Sequence, residues 1–175
     1  MGRVQEAAFT EVANELGWQD NSTMALRVLA LHHHLTLTEN LEPYGEFYRG
    51  FGIAVDAARI LRMAAKNGVQ LALHGHKHRA FIWRSQVYEL PEHTQMGHRL
   101  GNMSIVGGGS AGSKDTEGFR NYFNTMNVDA SGIHLTIYRS MHAGSFEKMQ
   151  AWQSSFEIGN APKKLILTEW QEAQK

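Results

Sequence analysis

Two apolar runs that each end in histidines, with one amphipathic stretch between them, limit the folds open to this chain. Val28-Leu29-Ala30-Leu31 runs straight into His32-His33-His34, and Leu71-Ala72-Leu73 runs into His74-Gly75-His76-Lys77-His78. Short apolar runs bounded by turn signals read as buried strands, and Gly75 lets the backbone turn sharply at the second strand tip. Between them, residues 51–66 carry a helical pattern. Ala54, Ala58, Leu61 and Ala65 line one face, Ile53, Ala57, Ile60 and Ala64 widen it, and Asp56, Arg59, Arg62 and Lys66 sit opposite. Asn67-Gly68 is a strong helix stop. A right-handed crossover between parallel strands puts both strand ends on the same sheet edge. The unit is therefore expected to bring His32 and His76 together.

The rest of the chain reads as one domain. Val4, Ala8, Val12 and Leu16 recur at steps of four and predict a helix over 3–16, closed by Gly17. Trp18 to Thr23 is a polar connection, and residues 35–50, rich in Glu, Pro, Gly and Tyr, form a loop that serves either as a plain connector or as the rim of a site. After His78 the pattern turns to β. Ala80–Trp83 and Gln86–Leu90 suggest a hairpin around Arg84-Ser85, and Met103–Val106 another strand. Asn121–Val128 and Ile133–Arg139 flank the turn signal Asp129-Ala130-Ser131-Gly132, and Leu165–Leu167 follows Pro162 as a final strand. No internal repeat or low-complexity tract interrupts residues 1–175.

Charge narrows the function classes. Lys plus Arg is 17 and Asp plus Glu is 17, so the formal net charge is zero and no basic field points to nucleic acid or to an anionic membrane. No apolar run approaches the roughly 20 residues that span a bilayer, and the first residues carry no signal-peptide core. A soluble, cytoplasmic protein is the expectation. Cysteine is absent, which excludes disulfides and thiolate metal sites and leaves ten histidines as the nitrogen ligands.

His76 and His78 are the strongest ligand candidates, because alternation along an extended segment points both to one face and neutral imidazole suits zinc, iron and manganese. A turn or solvated loop role is the alternative. Simple alternation does not exclude His74, but the turn at Gly75 breaks the count, and it reads as a supporting residue. Gly107-Gly108-Gly109-Ser110-Ala111-Gly112-Ser113-Lys114 lacks the Gly-Lys-Ser/Thr order of a phosphate loop and reads as a tight turn near the site. His93, His98, His134 and His142 read as surface or packed residues. Lys77 and Arg79 flank the histidines and are suited to attract phosphate or simply to be solvated.

The strand-end histidines and the Gly75-His76-Lys77-His78 block resemble the C-terminal half of the calcineurin-like metallophosphoesterases, in particular the cyclic-nucleotide phosphodiesterase-like branch. The resemblance covers roughly residues 26–140. It implies an α/β fold that is part of a four-layer sandwich, two β-sheets flanked by α-helices, with the N-terminal half missing. It implies metal-dependent hydrolysis of phosphomonoesters or phosphodiesters, with a small-molecule phosphoester as substrate. It places a metal ligand at His32, directly after the apolar strand, and puts His33 behind that ligand or on the substrate side. His34 falls where many relatives have proline. Two divalent or trivalent transition metals, Mn, Fe or Zn, are implied, with His32 and His76 on one and His78 on the other.

The family's upstream blocks are not found. None of Asp20, Asp56, Asp115 and Asp129 is preceded by Gly or followed two residues later by His. Gly101-Asn102 and Gly159-Asn160 do not continue with His and lie after the histidine blocks. The bridging carboxylate and the histidine that serves as leaving-group acid are thus unaccounted for, and the expectation is a C-terminal fragment with an incomplete metal site. The alternative is a non-catalytic half-domain that acts as a partner or regulatory module and associates through an uncovered sheet edge.

Overall fold

The computed structural model describes residues 6–20, 24–35, 56–75, 80–89, 96–109, 121–141, 145–160 and 163–173. Within them the chain is an α/β protein with two β-sheets, the first mixed and the second antiparallel, and two helices. Helix α1 is Glu6–Glu15 and α2 is Ala57–Lys66, and both end as their sequences require. Gly17 and Gly68 take positive φ, 66° and 69°. After α2 the Gly68 N–H reaches the Ala65 carbonyl at 3.0 Å and the Val69 N–H reaches Ala64 at 2.9 Å. After α1 the Gly17 and Trp18 N–H groups reach Asn14 and Ala13 in the same way. Each pair closes a helix C-terminus with a left-handed glycine.

The first sheet contains β1 (Val28–Leu31), β2 (Leu71–His74), β3 (Phe81–Glu89) and β4 (His98–Gly107), in the order β1-β2-β4-β3. Strands β1 and β2 are parallel, as the strand–helix–strand reading requires, and β4 is parallel to β2. The second sheet contains β5 (Tyr122–Val128), β6 (Gly132–Ser140), β7 (Phe146–Asn160) and β8 (Lys163–Leu167) in that order, with β9 (Gln171–Glu172) also on β7. The turn at Asp129–Gly132 joins β5 and β6 as expected. The Asp129 carboxylate accepts the Ser131 hydroxyl and the Ser131 and Gly132 N–H groups, which holds its pKa below the usual carboxylate value.

Alternation along the first sheet sends neighbouring residues to opposite sides. Ala72, Met103 and Ile105 join Phe9, Ala13, Ile60 and Ala64 in a core under the helices. Leu71 and Val106 instead meet Ile133, Leu135 and Leu167 in a core between the sheets. Ile60, Leu71, Met103, Ile105 and Ile133 are fully buried, and burial of such a side chain stabilises by about 1.5–3 kcal/mol.

Three expectations are corrected, and one strand lies outside the sequence reading. Helix α1 buries Phe9 and Ala13, while Ala8, Val12 and Leu16 of the expected apolar face are exposed. The hairpin around Arg84-Ser85 does not exist: Phe81–Glu89 is one strand, with Arg84 opposite Ser104 and Ser85 opposite Met103. Arg84-Ser85 lacks the Gly, Asn or Asp that a two-residue turn needs, and β3 instead pairs with β4 as far as Glu89 opposite His98. The buried face of α2 centres on Ala57, Ile60 and Ala64, while Ala58 is exposed. Strand β7, 15 residues long, has no counterpart in the sequence reading. The expected start of α2 at residues 51–55 lies outside the described residues. Among the described residues no helix is long and apolar enough to cross a membrane.

Candidate functional site

Three parallel strands end in one row. Leu31 lies opposite His74 and His74 opposite Gly107. Just past those ends the Gly75 N–H donates to the His32 carbonyl at 3.2 Å, and the Gly108 N–H donates to the His74 carbonyl at 2.7 Å. The carboxyl ends of parallel strands in an α/β sheet are where ligands bind, because the loops diverge there and leave a crevice. The chain thus enters Gly75-His76-Lys77-His78 beside His32, across the β1–α2–β2 crossover. The placements of His76 and His78 themselves lie outside the described residues.

The histidine run after β1 divides by burial. His32 is exposed and His33 half-buried, their rings edge-on at 5.0 Å. His34 turns inward and is 1% exposed. Burial, and then the neighbouring His32, lower the His33 pKa, which favours the neutral ring. His34 packs edge-on against His74 at 4.3 Å, and Phe81 stacks on His34 at 6.0 Å and contacts His74 at 5.1 Å. His74 shares the helix-side face with Ala72 and is buried, and desolvation lowers its pKa against an opposing hydrogen bond with the Gly75 carbonyl at 3.3 Å. The lowered pKa favours the neutral ring, and His74 packs against His34 and Phe81 on the inner side of the strand tip. The His34–His74–Phe81 layer was not legible, because a run of three histidines does not show which one faces the core.

A cavity of about 400 Å³ opens between the sheets at this same edge, lined by Leu31, Leu73, His74, Gly108, Tyr122 and Asn124 among others. The Asn124 amide donates to the Gly107 carbonyl at 2.9 Å and ties β5 to the end of β4. A Cβ at Gly109 would lie 2.2 Å from the Tyr122 Cβ, so only glycine allows the chain to pass there. The tight turn read at Gly107–Gly109 begins here, and Ser110–Lys114 lie outside the described residues.

The described residues include no group of three or more His, Cys, Asp or Glu able to hold a metal. At the edge they contribute the exposed imidazole of His32 and, beside it, the half-buried ring of His33, a donor chemistry that suits zinc, iron or manganese. His98 and His134 lie elsewhere, as surface groups beside Glu89 at 3.5 Å and Asp129 at 3.6 Å. His93, His142, Lys77 and Arg79 lie outside the described residues. No protein-family model, curated protein or solved structure matches the chain.

Proposed function

We propose that the chain provides the histidine side of a metal-dependent phosphoesterase centre, as its resemblance to the calcineurin-like metallophosphoesterases implies. One observation supports this reading: the hydrogen bond from Gly75 to the His32 carbonyl, which holds the end of β1 and the residue that precedes His76 at one carboxyl edge. His32 and His76 would hold one metal and His78 the other. A metal bound there would polarise the phosphate and lower the pKa of a bound water. The chain's own part is to fix the imidazoles, with buried His74 and His34 keeping the strand tips in place, and to seat the organic part of a phosphoester in the cavity beside Tyr122 and Asn124. The two sheets and the helices over the first would form part of a four-layer sandwich. The bridging carboxylates would come from a partner or from sequence beyond residues 1–175.

Hydrolysis of bis-p-nitrophenyl phosphate in added Mn²⁺ tests the reading. Residues 1–175 alone should turn over negligibly. Without the bridging carboxylate two close cations lack charge compensation, and even the loss of groups behind the ligands costs about 10–100-fold in affinity. Supplying the carboxylate half should restore turnover, and His76→Ala should abolish it. Turnover that survives both His32→Ala and His76→Ala would overturn the reading. Robust turnover by this chain alone that disappears in His76→Ala would instead show that a residue within it completes the site.

A second reading, a non-catalytic module that pairs with another chain, rests on β1. Among the described residues it pairs on one side only, with β2, and an open edge invites strand addition. A clean monomer in size-exclusion chromatography, with no partner captured by β1, would count against it.

A further inference from the structure

At the amino edge of the first sheet, opposite the histidines, lies a second cavity of about 330 Å³. That is near the lower end of the roughly 300–1,000 Å³ typical of small-molecule sites. Among the described residues that line it, three are arginines, Arg27, Arg84 and Arg99, and none is an Asp or Glu. In a chain with no net charge, this is a local concentration of positive charge. Leu165 and Leu167 on β8 add apolar lining.

The three guanidinium groups differ in what they already hold. Arg27 is occupied with backbone carbonyls at the helix ends. Arg99 donates to the Asn102 side-chain carbonyl at 2.5 Å, which fixes one nitrogen of its fork. Arg84 donates one Nη to the Leu167 carbonyl at 3.4 Å. Its other Nη is buried, with no hydrogen-bond partner among the described residues. The carboxylate paired with it, Glu169, is 3.7 Å away on a side chain 86% exposed. At that distance the two do not form a hydrogen bond, and a carboxylate so exposed is well screened, so the pair contributes little. The Arg84 side chain is 24% exposed, and a guanidinium with one buried Nη lacking a hydrogen-bond partner favours an oxyanion, because charge-assisted hydrogen bonds are about twice as strong as neutral ones and match a carboxylate or phosphate in shape.

We propose that this cavity binds a small organic oxyanion, a carboxylate or phosphate group on a compact apolar body, through Arg84 and Arg99. The anionic end meets the guanidinium groups and the body packs on Leu165 and Leu167.

The test is calorimetric titration of the full chain in EDTA, so that no metal contributes at the histidine edge. Phenyl phosphate, phenylacetate and neutral phenylacetamide are compared. At least one of the two anions should bind about tenfold or more tightly than the amide, and the preferred one identifies the headgroup. Arg84→Gln should weaken that binding about tenfold or more. Gly101 lines the cavity, and a Cβ built on it meets nothing within 4 Å. Gly101→Leu should therefore block the ligand while melting like the parent chain. Arg59→Gln, on the exposed face of α2, should leave binding unchanged. Equal binding of acids and amide, binding that survives Gly101→Leu, or no binding of either anion would overturn the proposal. Because metal is excluded, failure here leaves the phosphoesterase reading untouched, and the reverse also holds.

Discussion

Gly132→Ala should destabilise the protein by about 3 kcal/mol or more, at the upper end of the penalties for forcing atoms into a packed interior. Gly132 opens β6 where it pairs with β7, opposite Ser155. A Cβ there would lie 2.1 Å from the Ser154 carbonyl oxygen and 2.8 Å from the Ser155 Cα. Both are backbone atoms of a central strand, so neither can swing aside as a side-chain tip could. Separating β6 from β7 would also disturb Ile133 and Leu135, which are buried in the inter-sheet core. For a chain of this size the loss corresponds to a fall in Tm of roughly 6–12 °C. Thermal unfolding followed by circular dichroism measures it, and an unchanged midpoint would mean that the β6–β7 spacing is looser than described.

Arg27→Met should cost a comparable amount, about 3 kcal/mol or more, through polar groups rather than sterics. Arg27 precedes β1 and is only 5% exposed. One Nη donates to the Trp18 carbonyl at 2.6 Å and to the Asn67 carbonyl at 2.7 Å, and the other donates to Asp20. Those carbonyls follow α1 and α2, where the helix dipoles place partial negative charge. A single buried cation thus fastens two helix ends to the start of the first sheet. Methionine keeps much of the apolar stem but leaves the carbonyls without their donor. Urea unfolding measures the difference, and a midpoint within experimental error of the parent would show that water replaces the guanidinium at no cost.

The parts of the fold legible in the sequence are those where one local rule dominates. The β1–α2–β2 unit is announced by apolar runs of strand length, a helical period and the Asn67-Gly68 stop. The β5–β6 turn is announced by Asp129 and Gly132. Reading failed where pairing overrides local pattern. In β3, Arg84 and Ser85 interrupt an apolar stretch and mimic a turn, yet each has a partner in β4. In β7 the period of two is broken, because a register shift beside Ile137–Tyr138 sets Ile137 against Gln150 and Tyr138 against Lys148. The same strand then changes partner and pairs with β8 from Phe156 onward. No single alternation survives both events, so the longest strand left no readable pattern.

The site was legible to the same degree. The convergence of His32 with the Gly75 turn follows from topology, and the sequence contains that topology. Which histidine of the 32–34 run faces solvent depends on where β1 ends and how the next residues fold back, and this is settled by packing against His74 and Phe81. The arginine-lined cavity had no sequence signal at all. Arg27, Arg84 and Arg99 come from three separate segments and meet only through strand pairing.

The central claim, that the carboxyl edge is a metal site, is tested most directly by titrating the chain with Mn²⁺ and recording backbone amide spectra. The paramagnetic ion broadens the amides nearest to it. Broadening is expected at His32, Gly75 and Gly108, which lie together at the strand ends. It should be abolished by His32→Ala and by His76→Ala and unaffected by His98→Ala. Broadening centred on His98 or His134, or broadening at the edge that persists in both His32→Ala and His76→Ala, would contradict the assignment.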